Sequence, residues 1–188
     1  VDSLSLSGHK FNGLKGQGLL IIKNIQNIEP VVHGGGQEYG LRSGTVNLPM
    51  AVSMVKSIKL TMGRLDEASR KLNKMNQSVR TFLEEFRGVY INSPKDSAPQ
   101  IINVSFPDVK GEVLVNAFSK HGVMISTTSA CSSKRGKLNE VLLAMGVPDA
   151  RIEGSIRISM GVHTTEEDIQ RFKEVFEQVY EEVKELLK

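Results

Sequence analysis

The stretch LSLSGHKFNGLKGQGLLII, Leu4 to Ile22, decides how the rest of the chain is read. Leu4-Ser5-Leu6-Ser7 alternates apolar and polar side chains, the period of a strand. Gly8, Gly13, Gly16 and Gly18 follow, with His9-Lys10 among them, and Leu19-Leu20-Ile21-Ile22 then forms a compact apolar run suited to a buried strand. The segment therefore predicts strand, glycine-rich loop, strand, with a lysine held near a strand end. Such a lysine can form a Schiff base with a carbonyl when its amine is neutral, or it can be an ordinary solvated loop residue. The dipeptide alone does not choose between them. The loop is not a phosphate-binding P-loop, because no Gly-Lys is followed by Ser or Thr. Gly16-Gln17-Gly18 also lacks the third glycine of a dinucleotide fingerprint.

Downstream, His33-Gly34-Gly35-Gly36-Gln37-Glu38 leads into Leu41-Arg42-Ser43-Gly44-Thr45. Three adjacent glycines contribute little packing and permit close approach of a ligand or a neighbouring chain. A long helical region is expected from about Asn47. Within it Leu65, Ala68, Leu72, Met75, Val79, Phe82 and Phe86 recur three and four apart as an amphipathic stripe that stops at Gly88. A domain boundary is placed near Gly63, giving domains 1–62 and 63–188.

The second domain reads as alternating elements. Ile101 to Phe106 is a strand, Glu112 to Lys120 a helix stopped by His121-Gly122, and Val123-Met124-Ile125 a short strand. A loop of small polar residues, Ser126 to Gly136, carries Cys131. Leu138 to Met145 is a short helix and Ser155 to Met160 a strand. Thr164-Thr165-Glu166-Glu167 opens a final helix with a capping-box pattern, and that helix presents Ile169, Phe172, Phe176, Val179, Val183 and Leu186 on one face. The order is mixed α/β, without internal repeats.

Composition narrows the function classes. Of 188 residues, 39% are hydrophobic and 24% charged, the balance of a globular protein. The net charge of +3 is too small to indicate nucleic-acid binding, and no basic run is interleaved with aromatics. No apolar stretch is long enough to span a membrane. A single cysteine excludes a disulfide framework within the chain and fits a reducing cytoplasm. The four histidines have no metal-ligand spacing with one another or with Cys131, so no metal site is expected. The chain opens Val1-Asp2-Ser3-Leu4, without an initiator methionine or a signal pattern, and reads as a piece of a longer protein.

Two further residues could carry chemistry. Cys131 lies among Ser and Thr with Lys134 and Arg135 close behind; an exposed thiol near cations can be a nucleophile, or it can be an incidental surface cysteine. Arg157, between Ile156 and Ile158 on a strand, either faces solvent or points into a cleft where it would grip a carboxylate bidentately.

Together these segments resemble one family. Ser7-Gly8-His9-Lys10 is similar to the lysine segment of class V, fold-type I pyridoxal-phosphate (PLP) enzymes. The run from His33 to Thr45 resembles the signature of NifS/IscS-like cysteine desulfurases. Ser129-Ala130-Cys131 resembles their cysteine loop, and Ile156 to Gly161 with Thr164 to Glu167 their C-terminal segment. The four occur in the family's order. Thr128, where the first subgroup has glycine, and Tyr39, where many relatives have arginine, depart from the pattern.

The resemblance implies the C-terminal half of such an enzyme: residues 1–62 as the tail of the PLP-binding large domain and 63–188 as the complete small domain. It implies that Lys10 holds PLP covalently, that Ser7 and His9 bind the cofactor phosphate, and that Thr45 reaches the phosphate bound to the other subunit of a homodimer. It also implies that Arg157 binds the carboxylate of L-cysteine. Cys131 then takes the sulfur as a persulfide for an acceptor such as an iron–sulfur scaffold or a tRNA-thiolation enzyme. The histidine and aspartate that contact the PLP ring belong to the family's N-terminal half, so this chain alone is expected to be inactive. Two alternatives remain at this point: another class V enzyme, such as a selenocysteine lyase or aminotransferase, and a non-catalytic module that docks acceptor proteins.

Overall fold

The computed structural model describes residues 1–127 and 139–187. The chain forms two compact units, Val1–Leu65 and Asp66–Lys188.

In the first unit, strand β1 (Ser3–Ser7) pairs antiparallel with β2 (Gly18–Ile22) in the register Ser3 with Ile22 through Ser7 with Gly18. A 3-10 turn, Gly8–Phe11, leads off β1. Helix α1 (Leu48–Met62) starts where Asn47 caps it, its side chain accepting from the Met50 N–H at 3.2 Å. Both predicted strands form, but Leu19–Ile22 is not buried. Leu20 and Ile21 are about half exposed, because a two-stranded ribbon has no second layer within this unit to cover it. Met54 is the unit's only described hydrophobic residue in the buried class.

The second unit is built around a four-stranded antiparallel sheet backed by helices. Helix α2 (Leu65–Leu83) begins after a break at Gly63-Arg64, so the long helical region is two helices. The stripe becomes buried only from Met75 onward, and Leu65 is exposed. The sheet order is β3 (Tyr90–Ile91), β4 (Ile101–Ser105), β6 (Ser155–Ser159), β5 (Ser126–Thr127). The expected strand at Val123–Ile125 falls instead at Ser126–Thr127, where the chain pairs with Arg157 and Ile156. Helices α3 (Gly111–Lys120), α4 (Glu140–Ala144), α5 (Asp149–Glu153) and α6 (Glu166–Val183) complete it; β3 and α5 are too short to have shown a period in the sequence.

One face of the sheet supplies the core. Ile102 pairs with Ile158 and Val104 with Ile156, and all four are buried under α2, α3 and α6 residues. Phe176, fully buried, lies within 6.0 Å of Phe82, Phe86, Phe106, Phe118 and Phe172, ring centre to ring centre. Such contacts add to the stabilisation that burial of aromatic area already provides. The α6 face also includes Val175, whereas Leu186 lies outside the helix and is 55% exposed. The capping box forms one residue later than the sequence pattern indicates: Thr165 Oγ1 accepts from Asp168 N–H at 3.1 Å, and Asp168 Oδ2 accepts from Thr165 N–H at 2.9 Å. Thr164 instead accepts from Gly161 N–H. Among the described residues no helix is long and apolar enough to cross a membrane.

Candidate functional site

Each unit carries part of the predicted residue set. In the first, the reversal between β1 and β2 is closed by backbone hydrogen bonds: Gly8 N–H to Gln17 O and Gly13 N–H to Gly8 O, both 2.9 Å. Gly13 is required here, since a Cβ on it would lie 2.9 Å from the Gly8 carbonyl oxygen. Asn12, at φ 65°, turns the chain back, and its carbonyl accepts from Ser57 of α1 at 3.4 Å. The turn is thus tied to a strand on one side and a helix on the other. It presents Ser7, His9 and Lys10 together, all exposed.

The side chains of Ser7, His9 and Lys10 make no hydrogen bond or ion pair among the described residues, and no described carboxylate competes for the lysine. A hydroxyl, an imidazole and an ammonium on one short turn are donors without acceptors. That donor set fits an anionic phosphate with a nearby aldehyde, the two groups PLP would present.

Thr45 lies in the same unit on a separate loop and is exposed. That loop is held by its own side chains. Buried Ser43 donates to His33 O at 2.8 Å, and Val32 bridges to Arg42. Gln37 Oε1 accepts from Gly44 N–H at 3.2 Å, immediately before Thr45. The same Gln37 side chain packs close over Gly35, where an added Cβ would lie 2.6 Å from Oε1 and push the flexible amide aside. Glu38 and Tyr39 sit at positive φ, 51° and 58°, and Tyr39 is 91% exposed. Two non-glycine residues in the left-handed region are costly, and such strain collects at functional loops. The glycines themselves are visible in the sequence; Gln37 as their partner is not, because the pairing runs through a folded loop.

In the second unit Arg157 extends from the exposed positions of β6, on the sheet face opposite the core. Its cross-strand neighbours are Asn103 on β4 and Ser126 on β5. Arg157 has no carboxylate partner among the described residues, which leaves its guanidinium available to a ligand carboxylate. Cys131 lies outside the described residues, as does Thr128.

The polar face of the sheet holds a cluster that the sequence did not indicate. Alternation along Ile102-Asn103-Val104-Ser105 places Asn103 and Ser105 on the solvent side, yet both are buried, Asn103 at 7% exposure. Asn92 Nδ2 donates to Asn103 Oδ1 and to Ser105 Oγ, each at 2.6 Å, and Arg151 donates to Asn92 Oδ1 at 2.5 Å. Arg151 also stacks over the Tyr90 ring at 4.6 Å. No group of His, Cys, Asp or Glu among the described residues is arranged to hold a metal ion.

Comparison with known proteins places the chain in a family. The sequence profile of the family described as aminotransferase class-V matches residues 1–172. A cysteine desulfurase IscS of Clostridium botulinum is 38% identical over 190 residues, covering 99% of this chain and 48% of the relative. A solved NifS-like protein superposes with a TM-score of 0.84 at 36% identity, covering 96% of this chain and 47% of that one. A NifS-like protein from Rickettsia africae gives 0.83 at 28% identity, covering 96% and 48%. The chain spans about half the length of the curated relatives it matches. With a profile match running through both units, and with the strand, turn and sheet that carry the candidate residues all present, the chain belongs to the aminotransferase class-V family.

Proposed function

We propose that this chain is the PLP-anchoring tail and the small domain of a cysteine desulfurase, which takes sulfur from L-cysteine and leaves alanine. Residues 1–62 belong to the cofactor domain and 63–188 to the small domain. The observation that carries the reading is the closed turn at Ser7–Lys10, in which three unpartnered donors are held between a strand and a helix.

PLP, when bound, supplies an electron sink. Lys10 Nζ would be the covalent anchor for it and is the amine placed to hold and move a substrate proton. Ser7 Oγ and the His9 imidazole hold the phosphate. Thr45, on its Gln37-braced loop, reaches the phosphate bound to the second subunit of a homodimer. Arg157 orients the substrate through its carboxylate. The Cys131 thiolate would attack the substrate sulfur as the substrate's Cβ–S bond breaks, the carbon keeping the electron pair and taking a proton to end as alanine, and the resulting persulfide would be carried to an acceptor protein, an iron–sulfur scaffold or a tRNA-thiolation enzyme. The likeness to proteins named cysteine desulfurase favours this reading over an aminotransferase, which has no use for a cysteine on the Cys131 loop.

Treating the chain with PLP, reducing with borohydride and mapping the peptides by mass spectrometry tests the anchor. Modification confined to Lys10 is expected. Scattered labelling of many lysines, or none, would remove Lys10 from this role in the isolated chain.

A further inference from the structure

Asn103 is the most heavily engaged polar residue on the sheet's second face. Its side-chain oxygen accepts from Asn92 at 2.6 Å, its Nδ2 donates to the Ile156 carbonyl at 3.0 Å, and its backbone N–H donates to Ser93 Oγ at 2.8 Å. Its backbone carbonyl accepts from Asn92 N–H at 2.9 Å. Asn92 is in turn fixed by Arg151, and Ser105 by donating to Arg151 O at 2.6 Å. The core needs none of this, because Ile102, Val104, Ile156 and Ile158 supply the apolar face. What the network does fix is the backbone of β6 one residue before Arg157, and Asn103 stands directly opposite Arg157 in the strand register. Opposed residues of an antiparallel pair project to the same side, with Cβ atoms about 5 Å apart. The side chains of Asn92, Asn103 and Ser105 are each buried and hydrogen-bonded, which holds them in place, while Arg151 Nε is the one buried atom of the cluster without a partner among the described residues. Arg157 is the residue that the register sets beside this cluster.

We propose that Asn103 is a positioning residue for Arg157: it pins β6 at Ile156 and walls one side of the guanidinium, so that the fork is presented to a substrate carboxylate in one orientation. This rests on the reading of Arg157 as the carboxylate-binding group and deepens it. Bidentate recognition depends on such orientation, and small misplacements weaken it strongly.

The test uses the PLP-loaded enzyme at the full length of its relatives. Asn103→Ala is expected to raise KM for L-cysteine about tenfold while kcat stays within about threefold, the pattern of lost substrate binding. Arg157→Lys is expected to raise KM at least as much, and the double variant little further, since the two act as one unit. Asn76→Ala removes another buried amide, one that donates to Pro99 O, and serves as the control for simple destabilisation. A second readout needs neither activity nor cofactor: phenylglyoxal labelling of Arg157 in this chain, followed by mass spectrometry. The near-isosteric Asn103→Asp sets a carboxylate beside Arg157, favours the charged and unreactive guanidinium, and is expected to slow labelling about tenfold.

The proposal is overturned if Arg157→Lys raises KM but Asn103→Ala does not, if Asn76→Ala raises KM equally, or if Asn103→Asp labels at the parent rate. If Arg157→Lys leaves KM unchanged, the carboxylate reading of Arg157 itself falls. Should Asn103→Ala not fold, the labelling of Asn103→Asp decides.

Discussion

The two units reach order by different means. The second packs three phenylalanines and a run of Val, Leu and Ile to zero exposure between a sheet and its helices. The first leaves Leu20, Ile21, Val31, Leu48, Val52, Val55, Leu60 and Met62 about half exposed or more. Its shape comes from a hairpin ladder, a turn closed by two backbone hydrogen bonds, a loop braced by Gln37 and Ser43, and a capped helix. Local hydrogen bonds specify conformation, but each contributes only about 1 kcal/mol net, whereas a fully buried aromatic side chain contributes several. The first unit therefore has a defined site geometry with little core to hold it, and the second a core that could hold a site on its far face.

The contrast is most exposed to failure at Phe176, the residue shared by the aromatic contacts. Phe176→Ala is expected to cost about 3–5 kcal/mol. In hydrogen exchange, amides of β4 and β6 should lose protection while those of β1 and β2 keep theirs. Loss of protection in the hairpin as well would show that the two units unfold together, and the distinction drawn between them would be wrong.

A smaller lesion belongs to the first unit. Gly13→Ala forces a Cβ against the Gly8 carbonyl, at 2.9 Å, where backbone must shift. A cost of about 1–3 kcal/mol is expected, confined to the turn. Selective borohydride trapping at Lys10 should fall in that variant without any change in the exchange of β4. Trapping at the parent level would mean that the turn tolerates the shift and does not preorganise the lysine.

The smallest effect is expected at the exposed pair Lys74 and Glu166, 2.8 Å apart, which joins α2 to the first turn of α6. The hydrogen bond and charge of Lys74 lower the Glu166 pKa below its ordinary 4.5, and those of Glu166 raise Lys74 above 10.5. A lowered carboxyl pKa stabilises the fold above 4.5, and that contribution is lost as pH falls through the lower folded value. A raised lysine pKa stabilises below 10.5 and is lost as pH rises through the higher folded value. Between these limits the pair's contribution should be flat with pH, and Glu166→Gln should remove it with only a slight fall in Tm, since both groups are solvated. A pH-dependent change in the Glu166→Gln difference within that window would point to another titrating partner.

Much of the proposed site could be read along the chain because its parts are local. Ser7, His9 and Lys10 are near neighbours in sequence, and the glycines around them mark the reversal that the backbone makes. Gly34 to Gly36 and Ser43 likewise stand within one loop. Element order was legible for the same reason: amphipathic stripes in α2 and α6 and the alternation of β1 are properties of short windows. The errors fall where pairing rather than local pattern decides. The strand expected at Val123–Ile125 forms at Ser126–Thr127, because the sheet edge on β6 accepts those two residues. Leu19–Ile22, apolar enough for a buried strand, is exposed because nothing in its own unit covers it.

The sequence by itself determined most of the longer elements, their order and the glycine-rich turn around the lysine, since each depends on interactions among residues close along the chain. The tertiary structure decided that Asn103 and Ser105 are buried on the face that alternation marks as wet. It also decided that Arg157 stands between Asn103 and Ser126, and that five phenylalanines from four separate segments gather around Phe176. Those arrangements depend on contacts between residues tens of positions apart, and no local period encodes them.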